Sequence, residues 1–208
     1  MTEVKTTDDT KALIVTYVTD MLALEKHIHQ ALVGQLKSLD ESPFRAQLSR
    51  AESVCEKHID VLTRWSEKHE QTGQGVSKAV KTVVSSVLGA GASIVDMIRS
   101  EELPKDLRDD YTAVSLACIG YVMLNTTALA LGESDVAAIA ELHLADHAQL
   151  SMALTHAIPH AVIATLKEKG YAADESVLPT VDDIIHRAWQ PEDRAVRDAE
   201  AAHASLSN

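Results

Sequence analysis

Long runs of apolar residues spaced three and four apart constrain the fold of this 208-residue chain more than any other feature. The first run extends from Leu13 to Leu36, and the second extends from Phe44 to Trp65. This spacing places apolar side chains on one face of an α-helix, so the two runs predict two long amphipathic helices. Pro43 immediately precedes the second run and suits the first turn of a helix, where its missing N–H is not needed.

Two further long helices and one short helix are predicted after this pair. The third extends over about residues 107–131 and ends at Gly132, because glycine readily adopts the left-handed backbone that closes a helix. The fourth extends over residues 134–169, and Pro159 inside it is expected to kink or split the helix. A last helix is expected after Pro179.

The connection between the second and third helices is the longest, since it covers residues 76–100 and contains Gly89 and Gly91. A long connection at this place is typical of ferritin-like bundles and is not needed in a simple up-down bundle. The sequence therefore predicts an all-α fold, a ferritin-like four-helix bundle with a long crossover between helices 2 and 3 and a C-terminal helical extension. The bundle is assigned to residues 1–170 and the extension to residues 171–208.

The charge and composition of the chain exclude several classes of protein. Lys and Arg together number 19 and Asp and Glu number 31, which gives a formal net charge of −12 at pH 7. A negative surface repels both nucleic-acid phosphates and anionic lipids, so neither a nucleic acid nor a membrane is expected as a partner. The 8 Gly and 5 Pro residues are too few for the many turns of a β-sandwich or barrel.

The N-terminus and the cysteines predict the location of the protein. No basic region followed by an apolar one opens the chain, so no signal peptide is expected. Cys55 and Cys118 are too few for a disulfide framework, which favours a reducing cytoplasm. Residues 113–131 carry no charge, but their modest length and their Ser, Asn and Thr residues favour a buried bundle helix over a membrane span.

Five residues of metal-ligand type lie on or beside the apolar faces of the helices. Glu25 borders the apolar face of helix 1, and His58 takes a core position of helix 2. His143 and His147 are four residues apart on one face of helix 4, and Asp146 lies on the adjoining edge. Glu25 is about 12 residues before the end of helix 1 and His58 about 15 residues after the start of helix 2, so an antiparallel pair brings them to a similar depth.

These five residues are the candidate metal ligands, because imidazole and carboxylate groups suit Fe, Mn or Zn. The alternative is a core without metal. In that case His58 is hydrogen-bonded to Glu25, and the pair formed by His143 and His147 faces water. A cluster of ligand types in one bundle is compatible with both interpretations.

Four other residues are expected to have structural roles. Cys55 is expected to act as a small buried apolar group. Tyr17 and Tyr121 are expected in the core, with their hydroxyls bonded to a carboxylate. Trp189 predicts that part of the C-terminal extension docks on the bundle, because an exposed tryptophan is costly.

A diffuse pattern across all four helices supports a family resemblance. Tyr17 and the segment 24–28, Leu-Glu-Lys-His-Ile, look like a Tyr…Ala-Glu-x-Gln-Leu signature in helix 1. Residues 91–98 look like a Gly-Leu-Ile-Glu-Glu crossover segment, and Asp110, Tyr121 and Asp146-His147 stand at matching positions in helices 3 and 4. Over most of residues 10–155 the chain thus resembles the YciF-like ferritin-like family, also called DUF892. The resemblance implies an association with stress and a dinuclear metal centre with carboxylates from all four helices plus histidine.

The chain departs from this family where the family places most of its ligands. Glu25 matches the carboxylate of helix 1. The other matching positions carry apolar side chains, namely Ala51, Val54, Val114, Ala117 and Leu150. Because two trivalent irons need several anionic oxygen ligands, a standard di-iron centre is not expected. Either a mononuclear, histidine-rich site built from the five candidate ligands or a core that has lost its metal is expected in its place. The apolar residues at the family's ligand positions favour the core without metal, because they fill the site with apolar volume.

Three functions follow as expectations. The leading one is a cytoplasmic, stress-associated ferritin-like protein with a divergent metal centre, mononuclear or lost. The second is a non-haem Fe, Mn or Zn oxidoreductase in which Tyr121 donates a hydrogen bond to a ligand. The third is a structural or interaction module without metal, whose protein partner docks on the acidic surface. A hemerythrin-like oxygen binder is disfavoured, because Leu62 rather than glutamate follows His58 by four residues.

The assembly is predicted from the apolar connecting segment. Residues 76–95 contain more Val and Ala than a solvated connection needs. A homodimer that uses this apolar surface is therefore expected.

Overall fold

A computed structural model describes residues 6–39, 43–70 and 103–189 of the chain. All the regular structure in these residues is helical, which confirms the all-α class. Four long helices are followed by one short turn of 3₁₀ helix and one short α-helix. Their bounds are α1 Thr7–Ser38, α2 Arg45–Glu70, α3 Leu103–Leu131, α4 Ser134–Glu168, the 3₁₀ turn Glu175–Val177, and α5 Leu178–Trp189.

Local hydrogen bonds fix the ends of the helices. At the start of α1 the backbone N–H of Asp9 donates to Thr6 Oγ1 at 3.3 Å, and the N–H of Thr6 donates to Asp9 Oδ2 at 3.0 Å. This reciprocal pair satisfies two donors that the first turn leaves unpaired. Gly132 has a φ of 79°, and the N–H of the next residue donates to the carbonyl of Ala128 at 2.8 Å. The left-handed glycine lets the chain reverse tightly between α3 and α4.

The direction of each long helix follows from side chains that meet across the core. Near the end of α1, Gln35 contacts Asp110 near the start of α3. Earlier in α1, Glu25 contacts Tyr121, which comes later in α3. The two helices are therefore antiparallel. Since α2 is antiparallel to α1, the end of α2 and the start of α3 lie at opposite ends of the bundle, and residues 71–102 join them.

The core lies between the four long helices, and α3 and α4 share the largest interface. Four pairs of long helices pack against each other: α3 with α4, α1 with α2, α1 with α3, and α2 with α4. The interface between α2 and α4 is the smallest of these. Apolar side chains fill most of the core, and burial of this kind stabilises a fold by roughly 25 cal/mol per Å² of apolar surface. The fully buried members include Ile14, Ile28, Leu32, Leu48, Leu62, Leu107, Val114 and Leu124.

The inner face of α3 agrees with the sequence expectation, and its outer face does not. Its inner face is buried, as expected of a bundle helix. Its outer face carries exposed apolar side chains, namely Leu116, Ile119, Val122, Met123 and Leu129. Among the described residues, α3 is the one helix that is long and apolar enough to cross a membrane, with a mean hydropathy of 1.7 over its most apolar window. The exposed apolar face was not foreseen.

Two further boundaries differ from the sequence prediction. The third helix begins at Leu103, earlier than expected. The fourth helix is not split at Pro159, because Leu154, Ala157 and Ala161 on either side are buried against the bundle and hold the helix in place. The loss of one backbone hydrogen bond at proline is offset by this packing.

The described part of the C-terminal extension contacts the bundle, but Trp189 stays 53% exposed and no residue of α5 is buried, so the burial that Trp189 predicted is not present. The rings of Trp189 and Tyr111 meet edge to face with their centres 6.3 Å apart. His156 Nδ1 on α4 lies 2.9 Å from Asp182 Oδ1 on α5. The predicted dimer surface of residues 76–95 lies outside the described residues.

Candidate metal centre

One carboxylate oxygen is the point at which all four long helices meet. Glu25 on α1 is fully buried, with 0% of its surface exposed. Its Oε1 lies 2.8 Å from His58 Nδ1 of α2 and 2.7 Å from His147 Nε2 of α4. The hydroxyl of Tyr121 on α3 donates to the same oxygen at 2.6 Å. The predicted bond between Tyr121 and a carboxylate is present.

The surroundings keep the carboxyl of Glu25 charged. Burial alone would raise the pKa of Glu25, because a charged group loses its hydration. The hydrogen bonds from His147 and His58, and the electrostatic interaction of both rings with the carboxylate, act in the opposite direction and hold the pKa of Glu25 well below its usual range. The site therefore presents a buried anion with nitrogen ligands beside it.

The second oxygen of Glu25 is not saturated. Among the described residues, neither Glu25 Oε2 nor His147 Nδ1 has a hydrogen-bond partner. The sulfur of Cys55 lies in the same layer, where burial and the negative charge of Glu25 raise the pKa of its thiol. Cys55 is fully buried, as expected of a small apolar group.

His58 connects the buried carboxylate to the surface. Its Nδ1 faces Glu25, and its Nε2 lies 3.2 Å from Oδ2 of Asp146. The side chain of Asp146 is 51% exposed, whereas that of His58 is 3% exposed. His58 also stacks on His143, with ring centres 3.7 Å apart and planes inclined by 15°. The ring of His58 is thus fixed on both edges and on one face.

His143 is a neutral imidazole that supports Tyr121. Its Nδ1 lies 2.9 Å from the hydroxyl oxygen of Tyr121. Since the one hydroxyl proton of Tyr121 is donated to Glu25, His143 Nδ1–H donates to the Tyr121 oxygen. Burial, followed by the charge of His58, lowers the pKa of His143 to about 3. Burial and the charge of Glu25 raise the pKa of Tyr121, so its hydroxyl keeps its proton.

Three of the five candidate ligands come together in a metal-sized cluster. Single ligand atoms of Glu25, His58 and His147 all lie within 4.8 Å of one another, and all three residues are buried. Two imidazoles and one carboxylate are a set found in zinc and non-haem iron proteins, and three protein ligands leave a position open. The structure places His143 behind Tyr121 and Asp146 on the outer side of His58, so neither belongs to this cluster.

The chemistry of the cluster fits a metal, with a small adjustment of distance. The contacts of Glu25 Oε1 at 2.7 and 2.8 Å are hydrogen-bond lengths. A tetrahedral zinc ion with bonds of about 2.0–2.2 Å keeps its ligand atoms roughly 3.4 Å apart. A bound ion would therefore replace the two histidine hydrogen bonds and move these atoms apart by about 0.6–0.7 Å from their present 2.7 and 2.8 Å. The unpartnered Glu25 Oε2 gives the carboxylate a free ligand atom for this change.

Positions at which the family resemblance expects further ligands are occupied by apolar side chains in the core. Four of them, Ala51, Val114, Ala117 and Leu150, are buried, and Val54 is half-buried. A second metal ion would find no oxygen or nitrogen ligand from any of these positions.

The sequence analysis missed a second buried polar cluster. Gln35 Nε2 donates to Asp110 Oδ1 at 2.9 Å, and both side chains are buried. Burial, together with the negative charges of Asp106 and Asp109, raises the pKa of Asp110 to about 7, although the Gln35 bond acts against it. The signal was available, because Asp110 lies one turn before Val114 on the apolar face of α3.

Comparisons with known proteins place the chain in a family without giving it an activity. No curated protein matches the chain. No solved structure matches it either. A family profile described as "Domain of unknown function (DUF892)" matches residues 10–167. Since the match covers most of the chain and confirms the resemblance found in the sequence, the protein belongs to the DUF892 family.

Proposed function

We propose that this protein is a ferritin-like metal protein that binds one divalent transition-metal ion, Fe, Mn or Zn, at Glu25, His58 and His147. The observation that carries the proposal is the convergence of three buried ligand-type side chains from three helices within 4.8 Å. Buried charged and polar groups are costly and cluster at functional sites, so the convergence of two imidazoles and a carboxylate supports a metal site.

The course of the chain supports the ferritin-like part of the proposal. The end of α2 and the start of α3 lie at opposite ends of the bundle, so residues 71–102 must connect the two ends. A single long connection between the second and third helices is typical of ferritin-like bundles.

The apolar residues around the cluster support one metal ion rather than two. The buried positions 51, 114, 117 and 150 supply only hydrocarbon side chains. A dinuclear centre needs bridging carboxylates, and Glu25 is the one carboxylate in the described part of this cluster. The proposal is therefore a mononuclear site.

The remaining residues of the layer orient the ligands. Tyr121 holds Glu25 Oε1 through its hydroxyl, and His143 holds Tyr121 through Nδ1–H. His143 stacks on His58 and so limits its ring rotation. A bound metal with an open position would supply Lewis-acid or redox chemistry. Near neutral pH Tyr121 keeps its hydroxyl proton and His143 is a neutral imidazole, so both position the ligands without adding charge to the core.

Elemental analysis of the metal-free and reconstituted protein tests the proposal. We expect about one ion per chain, because three ligands define one site. We expect Glu25→Gln and His147→Asn to lose the ion while retaining helical circular dichroism. The matched control is His156→Asn, because His156 is an exposed histidine on the same helix as His147 and pairs with Asp182 of α5. About two ions per chain, or an unchanged content in Glu25→Gln, would contradict the proposal.

A second candidate is a structural bundle without metal. It is favoured by the fact that Glu25 Oε1 already accepts three hydrogen bonds of normal length. In this case the cluster is an internally neutralised ion-pair network. No metal after reconstitution with Fe²⁺, Mn²⁺ and Zn²⁺ would support this candidate over the first. The cytoplasmic location, the stress association, the homodimer and an oxidoreductase activity stay predictions.

A further inference from the structure

A groove opens between α2 and α4, where the packing between long helices is thinnest. Its volume is about 510 Å³, and it is open to solvent along one side. Arg50 and Val54 of α2 form one wall, and Asp146, Gln149, Leu150 and Met152 of α4 form the other. The other three interfaces between neighbouring long helices are more extensive.

Asp146 is the point at which this groove meets the buried cluster. It lines the groove, and half of its side chain is exposed. Its Oδ2 lies 3.2 Å from His58 Nε2, and the opposite nitrogen of the same ring lies 2.8 Å from Glu25 Oε1. A single imidazole ring therefore separates the solvent-exposed carboxylate from the buried one.

We propose that Asp146 is the entry residue through which a hydrated divalent cation reaches the site. The cation is first held in the groove by the carboxylate of Asp146, beside His58, and then moves inward to Glu25 and His147 when the His58 ring turns out of its stack on His143. Asp146 is a positioning residue in this scheme and is not a ligand in the final site. The inference rests on the proposed metal-binding function and adds the route and the order of contacts.

Asp146 is the group in the groove that can attract a cation. Arg50 stands on the opposite wall, where its positive charge repels cations, so attraction is confined to the side of the groove that carries Asp146. Gln149 contributes a neutral polar group, and the remaining lining side chains are apolar. Within the described part of the groove, Asp146 is the one acidic group that a cation meets before His58.

The test is the rate at which metal-free protein takes up Co²⁺, followed by stopped-flow absorbance. We expect Asp146→Asn to slow uptake roughly fivefold at low ionic strength, because local charge steers cations to a site. The matched control is Glu141→Gln, which removes one negative charge from an exposed position on the same helix. We expect that control to change the rate by less than about twofold.

A second variant tests the route without changing any charge. Ala153 is exposed and lines the groove, so Ala153→Trp fills part of it while the core is left intact. We expect slower uptake and slower release of Co²⁺ by a similar factor, because both use the same opening. The equilibrium stoichiometry should be unchanged in Asp146→Asn and in Ala153→Trp.

The outcomes separate this inference from the proposed function. Equal uptake rates in wild type and Asp146→Asn, with Co²⁺ bound by both, would overturn the entry route alone. Loss of the bound Co²⁺ in Asp146→Asn would make Asp146 a ligand and would also overturn it. A similar slowing in Glu141→Gln would assign the effect to general charge. Absence of Co²⁺ binding in the wild type would overturn both proposals.

Discussion

Two carboxyl groups lie in the same helical core but have pKa values shifted in opposite directions, so at neutral pH Glu25 is charged and Asp110 is only partly ionised. Glu25 is 0% exposed and Asp110 is 2% exposed, so both have lost nearly all contact with water. Three donors from three other helices surround Glu25, whereas Asp110 receives one bond from the neutral amide of Gln35. The pKa of Glu25 is held well below its usual range, and that of Asp110 is raised to about 7.

The difference shows that the number and charge of the donors, rather than burial, determine the charge of a core carboxyl. Burial favours the neutral acid at both positions. At Glu25 the two histidines and Tyr121 compensate this cost, and at Asp110 the neighbouring carboxylates Asp106 and Asp109 add to it. The charged position is therefore the one suited to a cation.

Removal of the Glu25 carboxylate is expected to cause the largest loss in the free energy of unfolding. Glu25→Ala leaves His58, His147 and Tyr121 without their common acceptor in the core. Breaking a buried ion pair from one side costs about 3–5 kcal/mol of the free energy of unfolding. Urea denaturation of the metal-free protein at pH 7 measures this loss.

A surface pair provides the control for this substitution. His29 and Glu52 form a half-buried contact of 2.8 Å, the same length as the contact between His58 and Glu25. We expect Glu52→Ala to cost less than about 1 kcal/mol, because solvent screens the pair. Equal losses in Glu25→Ala and Glu52→Ala would show that the buried cluster has no special role in stability.

Asp110 is expected to make the free energy of unfolding depend on pH in the direction opposite to a salt-bridged aspartate. The pKa of Asp110 is raised from 3.8 to about 7 in the folded protein. Its contribution to stability is therefore fully present below about pH 4 and is lost as the pH rises to about 7. We expect Asp110→Asn to be more stable than wild type by about 2 kcal/mol at pH 8, since one pKa unit corresponds to about 1.4 kcal/mol and water penetration reduces the full value.

Chemical denaturation at several pH values between 4 and 8 checks this expectation. The stability gain of Asp110→Asn over wild type should grow with pH across this range. Parallel curves for the two proteins would mean that Asp110 has the same pKa in the folded and unfolded states.

A smaller loss of stability is expected when the Tyr121 hydroxyl, one of the three donors to Glu25, is removed. Tyr121→Phe deletes the bond to Glu25 and leaves His143 Nδ1 without its acceptor. Loss of a buried hydrogen bond of this kind costs about 1–2 kcal/mol. Thermal unfolding measures the loss, and the ring signals of His143 in NMR spectra should shift. Tyr111→Phe is the control, because Tyr111 contacts Trp189 through its ring and we expect almost no change.

The long helices and the proximity of Glu25 and His58 could be predicted from the sequence, because periodicity gives the face on which each residue lies and antiparallel packing brings these two to a similar depth. The bond from Tyr121 to a carboxylate was predicted for the same reason. The sequence placed His147 on the same face as His143 but left open whether that face is buried or meets water; the structure buries both.

Other features depend on information that periodicity does not contain. Whether His143 joins the cluster or supports Tyr121 is decided by the rotation and axial shift of α4 relative to α3. The pairing of Gln35 with Asp110 depends on the same shift between α1 and α3. The exposure of Asp146 follows from the thin packing between α2 and α4. The spacing of residues along one helix does not reveal how closely two helices pack.

The meeting of four helices at Glu25 Oε1 has a consequence for alignment. Contacts among Leu, Val and Ala side chains are not directional, so a helix that slides by one turn, roughly 5.4 Å along its axis, still places apolar groups against apolar groups. A donor that slides by that distance loses its contact with the oxygen atom altogether. The polar layer thus selects one register among several that the hydrocarbon core would tolerate, as a single buried polar residue does in a coiled coil. Because each of the four positions penalises a change at the others, we expect residues 25, 58, 121 and 147 to vary together or not at all.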